Sequence, residues 1–221
     1  MPKSYTLITV TLIHLLLLNA ATADVIFFSP DSVVASNEST FHEGFNTINR
    51  SGISGPVTLA NIGTVFHTDG GASVLWRGDF NLAPLTLVYS FASPRRIDYA
   101  GLWQGAAQSQ GVDDFNLSFF DATEGMGNQI GGVYSGILDT DAVGWNNIPL
   151  NGRAFSVGPR FGVMSIKMEI TSRAVDYNHF VHLGEFMAAS VPEPPKSAFV
   201  VPLALACWIQ TFLRREKRLR T

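Results

Sequence analysis

Apolar and polar positions alternate along this chain in short runs, and most runs end at Gly, Pro, Asn or Asp. Leu85-Thr86-Leu87-Val88-Tyr89-Ser90-Phe91 is the clearest, closed by Ser93-Pro94. A period of two puts Leu85, Leu87, Tyr89 and Phe91 on one face, which predicts a half-buried strand. Residues 97–103 predict a second strand ending at Trp103, followed by a loop over 104–111. Further strands are predicted over 114–120, 161–171 and 179–187. After residue 23 no window holds a helical period for three turns. Many short strands separated by turn residues predict an all-β fold, a jelly-roll β-sandwich.

Both ends depart from that pattern. Lys3 precedes a continuous apolar run over 7–18, and Ala21 and Ala23 put small residues at the usual cleavage positions. Residues 1–23 therefore read as a signal peptide, with Asp24 as the mature N-terminus. At the far end, a proline-rich strip at 191–195 leads to an apolar run at 197–213 and a basic cluster at 214–220. The run makes a helix of roughly 25 Å, near the minimum for one transmembrane helix, weakened by Pro202 and Gln210. Five basic residues against one acidic one follow it, which favours a cytoplasmic C-terminus. Pro192, Pro194 and Pro195 keep the strip extended and accessible. This three-part order resembles the PEP-CTERM sorting signal of Gram-negative bacteria, with Val191, Pro192, Glu193 and Pro194 as the motif. The resemblance implies recognition and removal of the tail by an exosortase, and residence in the inner membrane before that. An ordinary single-pass anchor that is never cut is the alternative.

Composition narrows what lies between. Residues 24–190 form a domain long enough for a sizeable core. The one cysteine, Cys207, falls in the predicted span, so the domain has no disulfide. The formal charge of −3 hides an acidic domain, because 24–190 holds 16 Asp and Glu against 8 Lys and Arg, a net of −8. That argues against nucleic acid or an anionic membrane as partners, and it suits calcium.

Within the domain, the strands at 85–91 and 97–103, followed by Gly111-Val112-Asp113-Asp114-Phe115-Asn116-Leu117-Ser118, resemble the middle of a discoidin-type domain. Residues 160–170 and His182-Leu183-Gly184-Glu185-Phe186 are similar to its later strands, and Asp69-Gly70 with Trp76 to its early turn. The resemblance covers roughly 65–187 and implies a galactose-binding-like jelly roll. Such domains bind glycans, lipids or proteins through loops at one end of the barrel. By that resemblance Trp76 and Trp103 would stack on a sugar, with Arg77, Gln104 and Asp113 as polar contacts. The competing reading of each tryptophan is core packing, and of Arg77 a surface pair with Asp79. Asp69 and Glu185 stand where calcium-binding members place carboxylates, although Val74 replaces the family's Thr and removes one oxygen.

Catalysis finds little support. His179, His182 and Glu185 look like a metal triad, but residues three apart on a strand face opposite ways unless a bulge intervenes. No nucleophile elbow, zinc-protease helix or phosphate-cradling glycine loop is present. The expected function is non-catalytic binding of extracellular polysaccharide by an exported surface or matrix protein. A structural surface protein acting by protein contacts and a polysaccharide-active enzyme are the alternatives.

Overall fold

The alternation is realised as eight strands in the computed structural model, which describes residues 24–38, 42–67, 74–82, 84–104, 111–138, 151–173 and 179–193. In chain order they are β1 (Phe27–Phe28), β2 (Ser32–Ala35), β3 (Trp76–Asp79), β4 (Leu85–Gln104), β5 (Asp114–Phe120), β6 (Tyr134–Ile137), β7 (Arg153–Ile170) and β8 (Phe180–Ala189). Helical geometry among the described residues is confined to short 3-10 turns. The strands run in the order β1-β8-β4-β7-β5-β6, with β2 beside β4 and β3 beside β8. Every one of these pairings is antiparallel.

Two of the predicted boundaries move, for one reason. The runs at 85–91 and 97–103 belong to a single 20-residue strand, β4, and β7 begins at Arg153 rather than 161. The register between β4 and β7 shifts between Ser90 and Tyr99, so the pair bends instead of ending. Irregular pairing lets β4 pass Pro94, which has no N–H to donate. On β7 the bend is met by Gly158 and Gly162, with φ of 72° and 74°, a conformation that favours glycine. Before the bend, β4 pairs with β2 and with the end of β7, which pairs on with β5. Beyond it, β4 pairs with β8 and with the start of β7. The two long strands thereby serve both layers of a sandwich.

The main core lies between the layers. Leu85, Leu87, Tyr89 and Phe91 of β4 meet Phe115, Leu117 and Phe119 of β5 and Ile166, Met168 and Ile170 of β7. Tyr89 stacks on Phe186 of β8 with ring centroids 4.0 Å apart. Each such side chain contributes about 1.5–3 kcal/mol by leaving water. A second cluster, with Phe27, Ile53, Val57, Ile62, Trp103 and Met187, packs residues 50–67 against the outer face of β8 and β4.

Residues Asp24–Val191 form one compact unit. Its last backbone tie is the Val191 N–H, which donates to Asp98 Oδ2 at 2.8 Å, and Val191, Pro192 and Glu193 are exposed. The predicted signal peptide, with Ala21 and Ala23, lies outside the described residues, as do Pro194, the apolar run at 197–213 and the basic cluster. Among the described residues no helix is long and apolar enough to cross a membrane.

Candidate functional site

Pairing of β3 with β8 joins residues that are a hundred positions apart in the chain: Arg77 lies opposite His182, and Asp79 opposite Phe180. The Arg77 guanidinium sits 4.5 Å above the Phe180 ring. Beside it, His179 Nε2 is 3.9 Å from Asp79 Oδ2, while the Asn81 N–H donates to Asp79 Oδ1 at 2.9 Å. Phe80 comes next, and the Arg173 guanidinium lies 5.3 Å above its ring. Arg173 is positioned by a bridge between Val112 and Arg173, just past the end of β7. Two cation–ring pairs thus flank an imidazole–carboxylate pair on a half-buried rim. Such pairs hold together by about 0.5–1 kcal/mol at exposed sites. The rim offers guanidinium donors seated on aromatic rings, with His179 also against Phe180 at 4.4 Å, which suits the hydroxyl edge of a sugar.

Beneath the rim lies a buried polar layer. Trp103 of β4 pairs with Glu185 of β8 and Gln104 with Leu183, so β8 bulges at Gly184. A Cβ at Gly184 would stand 2.9 Å from the Gln104 carbonyl oxygen and 3.0 Å from the His67 ring, so the bulge requires glycine. The bulge resets the alternation of β8. Val181, Leu183, Phe186 and Ala188 enter the main core, and His182 and Glu185 share the other face. The bulge that would bring residues three apart to one face thus occurs between His182 and Glu185. His182 stacks on His42 at 5.7 Å, and burial, then the charges of His42 and Arg77, push its pKa down to about 3. Glu185 is fully buried; its Oε1 accepts the Arg50 N–H at 3.3 Å, and its Oε2 has no partner among the described residues. Burial raises its pKa to about 8, against the opposing pull of Arg50.

The structure separates the predicted site residues into groups. Arg77 is on the rim, stacked on Phe180. Trp76 and Trp103 are each 0% exposed, and their indole N–H groups donate to the Asn37 and Val65 carbonyls at 3.0 and 2.9 Å. Neither ring presents a face to a sugar, so the stacking role is corrected to packing. Gln104 is also buried: its amide donates to the Val112 carbonyl and its Oε1 accepts the Val112 N–H, which ties the end of β4 to Val112. Asp113 is half-buried, with the Ser172 hydroxyl 3.1 Å from its Oδ2. Asp69 lies outside the described residues. His179 is at the rim with Asp79, whereas His182 and Glu185 are buried, and among the described residues no three His, Cys, Asp or Glu converge to hold a metal. Calcium takes about six to eight oxygens. The orphaned, buried Glu185 Oε2 fits one of them, and the imidazoles do not.

By sequence, no known family matches the chain, and no curated protein does. Solved structures do match. Truncated AlyQ, with a family 32 carbohydrate-binding module (CBM32) and alginate lyase domains, is 12% identical over 76% of this chain and 34% of that one, at a TM-score of 0.50. The CBM32 of AlyQ solved with 4,5-unsaturated mannuronic acid is 12% identical over 73% of this chain and 96% of that one, at 0.47. The family 32 module of C. perfringens NanJ in complex with galactose is 10% identical over 72% and 93%, at 0.45. At such identity the likeness speaks to the fold alone: truncated AlyQ, at 0.50, supports the all-β sandwich described above.

Proposed function

We propose that this chain is an exported surface or matrix protein whose β-sandwich binds extracellular polysaccharide without catalysis. The observation that carries the reading is the rim, where Arg77 over Phe180 and Arg173 over Phe80 flank the pair formed by His179 and Asp79. Asp79 is already engaged, and Glu185 is sealed beneath; this arrangement suits holding a glycan rather than cleaving it. The PEP-CTERM reading belongs to the same proposal. Exposure of Val191, Pro192 and Glu193 beyond the last tie to Asp98 supports their recognition, with Pro194, by an exosortase.

Calorimetric titration of the full-length chain with a panel of polysaccharides tests the reading. One sugar class is expected to bind saturably. Arg77→Ala or Phe180→Ala is expected to weaken it about tenfold, or ~1.4 kcal/mol, with the thermal midpoint held. A folded chain that binds none of them would instead favour a structural surface protein acting by protein contacts.

A calcium ion at Glu185 and Asp69 completes the reading, supported by the orphaned Oε2. When bound, it would neutralise the Glu185 carboxylate where burial otherwise disfavours the charge. Calcium should then raise the melting temperature of the wild type and leave that of Glu185→Gln unmoved. Equal midpoints for the wild type in calcium and in chelator would remove the ion from the account.

A further inference from the structure

The bend shared by β4 and β7 gathers a second group of side chains that the rim does not use. Arg95 stands opposite Val163 and Ile97 opposite Arg160, so Arg95, Arg96 and Arg160 fall within a few residues of one another. They are three of the 8 Lys and Arg of residues 24–190, a stretch whose net charge is −8. Each guanidinium is seated on an aromatic ring: Arg95 over Phe28 at 5.5 Å, Arg96 over Phe161 at 5.1 Å and Arg160 over Phe119 at 5.4 Å. Arg96 is also fixed by Asp98 at 2.9 Å. Arg95 and Arg160 have no acidic partner at that range among the described residues, and the buried Arg160 Nε has no hydrogen-bond partner there. Arg95 and Phe161 are exposed, Phe161 to 61%.

A guanidinium held against a ring keeps its N–H edge directed away from it, the geometry for two parallel bonds to a carboxylate or sulfate. Strand β8 separates this group from the rim. Phe180 at its start belongs to the rim, whereas Ala189 at its end pairs with Tyr99, and Val191 beyond it bonds to Asp98. Ten residues of strand span about 30 Å.

We infer that the bend is a second binding site, for a carboxylate- or sulfate-bearing polysaccharide, at the opposite end of β8 from the rim. The inference rests on the polysaccharide reading above and extends it: one molecule bridges two glycan chains. A flat anionic bilayer would bring the acidic remainder of the unit within a Debye length, about 8 Å, and be repelled.

The test is calorimetric titration of the full-length chain with an oligogalacturonate of defined length, at low and at physiological salt. Binding is expected to weaken about tenfold in Arg95→Gln/Arg160→Gln and to weaken with added salt. It is expected to survive in Arg77→Ala/Phe180→Ala at no less than half the wild-type affinity. Arg95→Gln alone, at an exposed position, gives the same direction should the double variant fold poorly. Unchanged affinity in the bend variants would overturn the second site and leave the rim untouched. Loss of all glycan binding in the rim variant alone would overturn it too, by assigning every glycan contact to the rim. Arginine-dependent binding to vesicles containing phosphatidylglycerol, with none to the oligogalacturonate, would overturn it in favour of a membrane contact.

Discussion

His182 shows what one misplaced proton costs. It is 5% exposed, neither ring nitrogen has a hydrogen-bond partner among the described residues, and it faces His42 and Arg77. A charged imidazole there would be unsolvated and next to like charge, which is why its pKa falls to about 3. The sign of the linkage follows from that depression. Below about 6.5 the unfolded chain takes up a proton that the folded chain refuses, so the contribution of His182 is complete above 6.5. It is lost as the pH falls from there towards 3, by up to ~1.4 kcal/mol per pH unit. Glu185, raised to about 8, works in the opposite sense over the same range, so the loss is read as a difference: between pH 6.5 and 5 the wild type should lose roughly 2 kcal/mol relative to His182→Phe in urea unfolding. At pH 7.5 the Phe variant should lie close to the wild type, because an apolar ring of similar shape breaks no hydrogen bond. An unchanged acid slope in His182→Phe would place the titrating group elsewhere.

Strands were the legible part of this chain, and their partners were not. The run at 114–120 became β5 residue for residue, and 179–187 became β8 within two residues at either end, because two-residue alternation is written locally. β1, β2, β3 and β6 have two to four residues each, too few for a period to declare itself. The rim failed to show for a different reason. Phe180, His179, Phe80 and Arg173 meet only through the pairing of β3 with β8 and the bridge at Val112, contacts that no local pattern encodes. Of its residues, the sequence singled out Arg77 and, for a metal triad, His179; Asp79, the partner expected for Arg77, lies 3.9 Å from His179 Nε2. Trp76 and Trp103 take the core-packing reading over the sugar platform that the resemblance offered. Their role is to fasten elements: Trp103 ties residue 65 of the covering segment to β4, and its indole fills the space beside Gly152, where a Cβ would come within 2.4 Å. The Glu185 neighbourhood depended on a bulge whose one trace in the sequence is Gly184.

Connectivity sets how the whole unit must form. β8, the last strand, pairs with β1 near the start of the chain, with β3 and with β4, and its side chains enter both hydrophobic clusters. Without it, Tyr89 loses its stacking partner, Trp103 loses Met187 from its cluster, and β1 and β3 lose the edge on which they pair. The unit cannot close until its C-terminal strand is present, whereas nothing past Val191 contributes a described backbone tie. A chain ended after Glu193 should then keep the melting temperature of the full-length chain to within a few degrees, and one ended after Thr171 should show no cooperative transition. Far-ultraviolet circular dichroism on heating separates the two cases. Such a topology, with neighbours in the sheet far apart in the chain, also predicts refolding in milliseconds to seconds rather than microseconds. Cooperative melting of the shorter chain would mean that β8 is an accessory to the fold, and the rim built on its first residues would lose its claim to a rigid scaffold.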